Sequence, residues 1–431
     1  MFSKISNILD GKNIVILGFG REGRSTLDFI KRYITPQSVT VADLNPIEGA
    51  DGCRTVCGVD YQKGLENYDV IIKSPGIVYE NPTDEILSKT TSQTTLFLSE
   101  FKDRTIGITG TKGKSTTTSL IHHVLVNNGL DATLAGNIGI PPLSVADEML
   151  EGDRIAVLEM SCHQLEYEIY SPHVALILNI YEDHLDHYVT REKYVEAKRN
   201  IYRNQSDSDY FVCNSECTFE ISEACGQVIP IGEGVFDNGF LANGARITLT
   251  PDSTRLVGRH NVFNIACAFA VASLFGVDET GFLNALKSFK GLAHRLEYVD
   301  TVRGVDYYDD SISTVCQTTI QAIKSLEKVD TVIIGGMDRG IDYSELVSFL
   351  ESSPVRNIIL LPDSGYRIAK MLDTCHVPYI LATDLENAVD IAVSVTESGT
   401  KCVLSPAAAS YGFFKNFEHR GEMFREYLKK Y

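Results

Sequence analysis

The stretch Gly107-Ile108-Thr109-Gly110-Thr111-Lys112-Gly113-Lys114-Ser115-Thr116-Thr117 limits what this chain can fold into more than any other part of it. An apolar run at 105–109 leads into it, and a helix is predicted to follow over 117–127. A strand that turns through glycines into a helix aims backbone N–H groups and the positive end of the helix dipole at one point, which suits phosphate oxygens. Lys114 can reach the outer phosphates, and Ser115 and Thr116 offer a hydroxyl to Mg2+ or to a phosphate. The spacing departs from the general G-x-x-x-x-G-K-S pattern, because Ile108 occupies the place of its first glycine. ATP or GTP binding is a better reading than a glycine turn that merely caps a helix.

At ~150 residues per domain, a chain of 431 residues implies about three domains. Short apolar runs between helical stretches recur along it. They lie at 13–17, 39–42 and 70–73, then at 105–109, 155–159, 174–179 and 210–213, and finally at 330–334, 357–361 and 401–404. That alternation predicts an α/β fold with parallel, doubly wound sheets. No Pro- or Ser-rich linker marks the borders, and the expected domains are 1–99, 100–293 and 294–431.

Lys plus Arg number 39 against 57 Asp plus Glu, a net charge of −18 with no long basic run, which argues against nucleic acid and anionic membrane as partners. The 10 cysteines are scattered without a C-x-x-C pair, as expected for reduced thiols. Residues 1–10 lack an export signal and no long apolar run exists, so a cytoplasmic protein without membrane insertion is expected.

Glu159, at the end of a predicted strand beyond the phosphate loop, is where a Mg2+ ligand would sit, or else a solvated turn residue. Asp183-His184-Leu185-Asp186-His187 is the densest group of possible metal ligands. His184 and His187 could share a helical face, but zinc hydrolysis would need a third ligand and a Glu base, and neither is evident at motif spacing. Mg2+ beside the phosphate loop is the better expectation.

An earlier glycine turn, Gly18-Phe19-Gly20-Arg21-Glu22-Gly23, follows a strand, opens a helix and precedes Asp43, as a dinucleotide-binding turn does. The same loop would cradle any diphosphate, including that of a UDP-sugar. Ser74-Pro75-Gly76, closing the strand 70–73, is placed beside it at the carboxyl edge of the sheet.

Taken together, these residues resemble the Mur ligase family, ATP-dependent enzymes that build the peptidoglycan stem peptide. T-G-T-K-G-K-S-T is that family's form of the phosphate loop. It is followed in order by Ala135-Gly136-Asn137-Ile138-Gly139, Leu158-Glu159-Met160-Ser161, Gln164-Leu165-Glu166, Asp183-His184, Ala197-Lys198, His260-Asn261 with Asn264, and His294-Arg295. Asp310-Ser311 with Thr314, Gly335 to Gly340, and the closing run from Ser405 to Gly421 resemble the D-glutamate-adding branch. The resemblance spans essentially the whole chain. It implies a Rossmann-like N-terminal domain for the UDP-sugar, a central P-loop ATPase domain and a C-terminal Rossmann-like domain for the amino acid.

The implied substrates are ATP, UDP-N-acetylmuramoyl-L-alanine and D-glutamate, joined through an acyl phosphate in cytoplasmic peptidoglycan synthesis, by a monomer. The implied ATP contacts are Gly110, Thr111, Lys112, Gly113, Lys114, Ser115, Thr116, Asn261, Asn264, His294, Arg295 and Asp310. Ser115, Glu159, His184 and Lys198 would surround two Mg2+ ions, Lys198 as an N6-carboxylysine whose carbamate is a hard oxygen ligand. Lys114, Glu159, His184 and Lys198 are thus the implied catalytic set. Gly20, Arg21, Glu22, Gly23, Asp43, Leu44 and Ser74 would hold the uridine diphosphate. Asn137 and His184 would reach the muramoyl-alanine end, with Ser161 and Gln164 as further substrate contacts. Thr314, Arg339, Ser410 and the backbone at Phe417 would take D-glutamate, Arg339 as a planar fork for a carboxylate. Arg339 and Ile312 stand where other members carry lysine. The rivals are a folylpolyglutamate-type amide ligase with another acceptor, a nicotinamide-dependent dehydrogenase built on Gly18 to Gly23, and a non-catalytic nucleotide sensor.

Overall fold

The structure is a computed structural model that describes all residues except 1, 81, 182–184, 189, 216–222, 243–244, 251 and 257. It divides into two compact units, one made of residues 1–249 and 260–286, the other of 250–259 and 287–431.

The first unit carries two parallel sheets. The N-terminal one contains β1 (Asn13–Leu17), β2 (Ser38–Asp43), β3 (Arg54–Cys57), β4 (Val70–Lys73) and β5 (Thr90–Thr91) in the order β3-β2-β1-β4-β5. β1 is central, and its residues Ile14 to Leu17 are buried on both faces, as an inner parallel strand requires. The helix Arg21–Tyr33 buries Leu27, Phe29 and Ile30, while Lys31 and Arg32 sit in its last turn, where cations favour the dipole.

The second sheet contains β6 (Thr105–Thr109), β7 (Ala132–Gly136), β8 (Ile155–Glu159), β9 (Val174–Ile177), β10 (Tyr210–Asn214) and β11 (Gln227–Ile231), in the order β11-β10-β9-β6-β8-β7. Strand order reverses at β6, which pairs with β9 on one side and β8 on the other. A ligand crevice opens at such a reversal, outside the carboxyl ends of the strands. The helix after β6 runs from Lys114 to Asn127, three residues earlier than the predicted start. Lys114, Ser115 and Thr116 carry no apolar periodicity, but Thr117 N–H donates to the Gly113 carbonyl at 3.0 Å and closes the first turn. A small antiparallel sheet, β12 (Val235–Phe236), β13 (Gly239–Ala242) and β14 (Ala245–Thr248), follows. One apolar core, reaching from Phe2 through Ile16 and Phe97 to Leu158 and Phe211, serves both parallel sheets.

The second unit carries β15 (Glu297–Val302), β16 (Val305–Asp309), β17 (Val329–Gly336), β18 (Asn357–Asp363), β19 (Ile380–Leu381) and β20 (Lys401–Leu404), in the order β15-β16-β20-β17-β18-β19. Only β15 pairs antiparallel, with β16, at the sheet edge. Separate apolar clusters cover the two faces, one around Val332, Ile334 and Leu360, the other around Ile333, Ile359 and Phe424. The described cysteines are free thiols. No helix among the described residues is long and apolar enough to cross a membrane.

Candidate active site

The phosphate loop leaves β6 at the sheet's reversal. Gly113 takes φ +85°, and a Cβ there would lie 2.7 Å from Asn264 Oδ1, so glycine is required both by backbone and by contact. Asn264 is buried and donates to Asn261 Oδ1 at 3.1 Å, which brings two predicted nucleotide residues against the loop. Lys114 Nζ donates to the carbonyls of Gly110 and Thr111 at 2.9 and 3.1 Å. Ser115 and Thr116 follow in the first helical turn.

The loop is braced by a residue that sequence reasoning missed. Asn179 Oδ1 accepts from the N–H of Thr111 and of Lys112 at 3.1 and 2.8 Å, and its Nδ2 donates to the Lys112 carbonyl at 2.9 Å. Tyr194 Oη lies 2.9 Å from Thr111 Oγ1. Neither residue carries a sequence signal, because the bracing depends on β9 ending beside β6.

Glu159 ends β8 in register with Ile108 and is 1% exposed. Asn137 Nδ2 donates to its Oε1 at 2.7 Å, while Oε2 is buried without a hydrogen-bond partner among the described residues. A buried, orphaned carboxylate oxygen costs free energy unless something electropositive meets it. Lys198, on the helix Arg191–Arg203, is equally buried and donates from Nζ to the Gly110 carbonyl at 3.0 Å, with its ammonium 4.7 Å from the Tyr194 ring centroid. The orphaned oxygen and the hard-oxygen chemistry of a carboxylate fit a Mg2+ site here. His184 lies outside the described residues.

The first glycine turn lies in the same unit. Asp43 accepts from the Phe19 N–H through Oδ2 at 2.6 Å, which braces the glycine turn, and from the Asn45 N–H through Oδ1 at 2.8 Å, which shapes its own loop. Ser74 Oγ donates to the Gly18 carbonyl at 2.9 Å, placing both glycine turns at one sheet edge. Arg21 Nη1 donates to the Gly139 carbonyl at 2.9 Å. Gly23 opens the helix with space for no Cβ, since one would lie 2.1 Å from the Gly18 carbonyl oxygen. Leu44 is exposed.

Ser161 and Gln164 form a reciprocal capping box on the helix Cys162–Leu165, and Gln164 Nε2 donates to Glu22 Oε1 at 2.8 Å. Burial pushes the Glu22 carboxyl up to about 7, against the smaller opposing effects of the Gln164 hydrogen bond and the Lys73 charge. The folded chain therefore binds a proton there that the unfolded chain, titrating at 4.5, releases. This group's stabilising effect is present below about pH 4.5 and fades as pH rises through about 7. Accordingly Glu22→Gln gains stability relative to the parent between pH ~5 and ~8, by up to on the order of 3 kcal/mol. Urea unfolding at both pH values measures the difference, and an equal difference at both would contradict the assignment.

In the second unit the predicted residues gather at the carboxyl ends of β16, β17 and β20. His294 Nδ1 lies 2.7 Å from Asp309 Oδ2; burial lowers its pKa, but the Asp309 hydrogen bond and charge outweigh this and raise it. Asp310 accepts from Ser405 Oγ at 2.7 Å, and burial lifts its carboxyl to about 6. Arg339, exposed, donates to the Thr314 carbonyl at 3.4 Å. Ser410 is buried, and Ser311 Oγ donates to the Phe417 carbonyl at 2.8 Å. Arg295 is exposed.

Residues 108–272 match the model of the Mur ligase middle domain. The UDP-N-acetylmuramoylalanine–D-glutamate ligase of Streptococcus suis (strain 98HAH33) is 33% identical, covering 98% of each chain. That of Streptococcus thermophilus (strain CNRZ 1066) is 32% identical over 96% of this chain and 97% of its own. The chain belongs to the UDP-N-acetylmuramoylalanine–D-glutamate ligase family of Mur ligases.

Solved structures agree at the level of fold. The UDP-N-acetylmuramate–alanine ligase of Thermotoga maritima superposes with a TM-score of 0.61 at 18% identity, covering 97% of this chain and 99% of that one. The MurF ligase of Thermotoga maritima, solved in complex with ADP, gives 0.54 at 18% identity, covering 99% and 97%. Within a Mur ligase fold of this kind, Asn179 and Tyr194 become supports of the phosphate loop. Arg420, buried in the second unit, is a further residue that sequence reasoning passed over. Its guanidinium donates from Nε to Ser311 Oγ at 2.9 Å, from Nη1 to the Ala408 carbonyl at 3.1 Å and from Nη2 to the Ser311 carbonyl at 2.7 Å.

Proposed function

We propose that this chain joins D-glutamate to UDP-N-acetylmuramoyl-L-alanine at the expense of ATP, as a step of cytoplasmic peptidoglycan precursor synthesis. Family membership over nearly the full length carries the reading. The paired arrangement of a braced phosphate loop with the orphaned Glu159 Oε2 supports it at the site.

The L-alanine carboxylate attacks the γ-phosphorus, the bond to the β,γ-bridging oxygen breaks, and ADP leaves. The D-glutamate amine then attacks the carbonyl of the acyl phosphate, a tetrahedral centre forms, phosphate departs and the nitrogen loses its proton. Loop N–H groups, Lys114 and the dipole of the helix Lys114–Asn127 hold the phosphates in line and offset the negative charge that develops. Ser115, Glu159, His184 and Lys198, the last as a carbamate, are the residues assigned to two Mg2+ ions. Bound there, the ions neutralise phosphate charge. Asn137 fixes the orientation of Glu159 by its 2.7 Å bond and is assigned, with His184, to the muramoyl-alanine end, with Ser161 and Gln164 as further substrate contacts. Gly20 to Gly23, Asp43, Leu44 and Ser74 are assigned to the uridine diphosphate. Asn261, Asn264, His294, Arg295 and Asp310 are assigned to the nucleotide, and Thr314, Arg339, Ser410 and Phe417 to D-glutamate. The corresponding domains are 1–99, 100–293 and 294–431.

Phosphate release with ATP, Mg2+ and UDP-N-acetylmuramoyl-L-alanine, across a panel of D- and L-amino acids, tests the reading. Release that depends on D-glutamate, with a product heavier by one glutamyl residue, is expected. Dependence on another amino acid would keep the mechanism and refute the acceptor assignment. In the same assay Arg339→Ala raises the KM for D-glutamate at least about tenfold, the loss of one charge-assisted contact, and leaves the KM for ATP nearly unchanged. A parallel rise in both would place Arg339 elsewhere.

A further inference from the structure

A second group of side chains able to ligate a metal stands outside the set assigned to Mg2+. The sequence offers His187 without a third ligand at motif spacing. The fold supplies two, from a different element. His163 lies on the short helix Cys162–Leu165, Glu166 is the residue that closes it, and His187 lies on Leu185–Tyr188. One donor atom from each of the three lies within 4.8 Å of the others. His187 Nε2 is 3.1 Å from Glu166 Oε2, and the two imidazole rings meet edge to face with centroids 4.5 Å apart.

Ligands held ~2.0–2.2 Å from a tetrahedral Zn2+ stand roughly 3.3 Å from one another. The Glu166–His187 pair already has that spacing. The His163 ring is held there by stacking on Tyr188, with centroids 5.6 Å apart, so all three donors are positioned by the fold itself. Two of the three donors, Glu166 and His187, line a cavity of about 340 Å³ together with Tyr188, Lys193, Glu196 and Arg203. Glu196 is engaged by Arg199 and Arg203 and supplies no ligand. Tyr188 Oη, 3.4 Å from His163 Nδ1, lies where an outer partner would orient that ring.

We propose that His163, Glu166 and His187 form a binding site for a divalent transition metal of the Zn2+ class, with water completing the coordination. Two imidazoles and one carboxylate suit zinc and its neighbours rather than Mg2+, which prefers oxygen ligands throughout. The site joins the element that follows Glu159 to the one that follows Asp183-His184 in the chain. Its occupancy holds those two segments together whether or not substrates are present.

The full-length protein, saturated with Mg2+ and ADP, is titrated with Co2+ as a spectroscopic stand-in for zinc. One equivalent of tetrahedral visible absorption is expected, displaced one for one by Zn2+. His163→Phe, His187→Ala and the near-isosteric Glu166→Gln each weaken Co2+ binding at least about tenfold, and Lys198→Ala leaves it unchanged. Far-UV circular dichroism identifies any variant that fails to fold, and Glu166→Gln alone then decides. Absence of the absorption in the parent protein overturns the proposal. So does absorption that survives in the folded variants, or that disappears in Lys198→Ala. The readout needs no turnover, so a failed ligase reading and a failed metal site give different results.

Discussion

Lys198→Ala lowers D-glutamate-dependent phosphate release at least about a hundredfold, a loss of the size that follows removal of a group aimed at developing charge. Millimolar formate restores part of it. Lys198 is 1% exposed on the helix Arg191–Arg203, with Nζ 3.0 Å from the Gly110 carbonyl and 3.4 Å from Thr109 Oγ1, so its terminal atom sits against the phosphate loop. As an ammonium it would add one more cation beside Lys114. As a carbamate, formed when the amine nitrogen attacks carbon dioxide and loses a proton, it presents two anionic oxygens instead. These alternatives predict opposite behaviour. If the cation matters, Lys198→Arg retains activity and formate does nothing for the alanine variant. If the carbamate matters, the arginine variant is as inactive as alanine, because a guanidinium is not carboxylated, while formate supplies the missing oxygens in the space that truncation opens. Depleting bicarbonate then slows the parent enzyme as well. Steady-state rates of the three proteins with and without formate separate the cases.

Much of this site was legible because its chemistry is local in sequence. Loop glycines, Lys114 and Ser115 are consecutive, and β6 and β8 end where their apolar runs end, at Thr109 and Glu159. The edge strand β15 and its neighbour β16 were not foreseen. β15 is half polar, Glu-Tyr-Val-Asp-Thr-Val, and mostly only partly buried, so it lacks the continuous apolar run of an inner strand. The small sheet of β12 to β14 escaped for the same reason. Asn179, Tyr194 and Arg420 were invisible for a different one. Each is an ordinary polar residue until the topology sets it against a partner 67 to 109 positions away. The Glu166–His187 contact spans 21 residues and two helices. A search for ligands at fixed motif spacing looks along one element and misses a pair formed between two.

Arg420→Met destabilises the second unit by about 3 kcal/mol or more, the usual result of taking one partner out of a buried charged network. Methionine fills much of the space, so the cost falls on the carbonyls of Ser311 and Ala408 and the Ser311 hydroxyl, which lose the guanidinium that serves them. Burial lowers the Arg420 pKa to about 10, with the Asp309 charge opposing, so the side chain remains a cation at neutral pH. Lysine recovers little, since one ammonium cannot span donors that the planar fork presents in fixed directions. The effect reaches the proposed acceptor pocket through Ser311, whose hydroxyl also donates to the Phe417 carbonyl at 2.8 Å. Scanning calorimetry is expected to show a melting temperature lower by roughly 6 °C or more, together with a raised KM for D-glutamate in the fraction still folded. Next to Arg420, Gly421 packs so closely that a Cβ would lie 2.1 Å from His294 Nδ1. Should Arg420→Met melt with the parent and keep its KM, that glycine contact, rather than the guanidinium, is what orders the end of β16, and Gly421→Ala becomes the destabilising substitution.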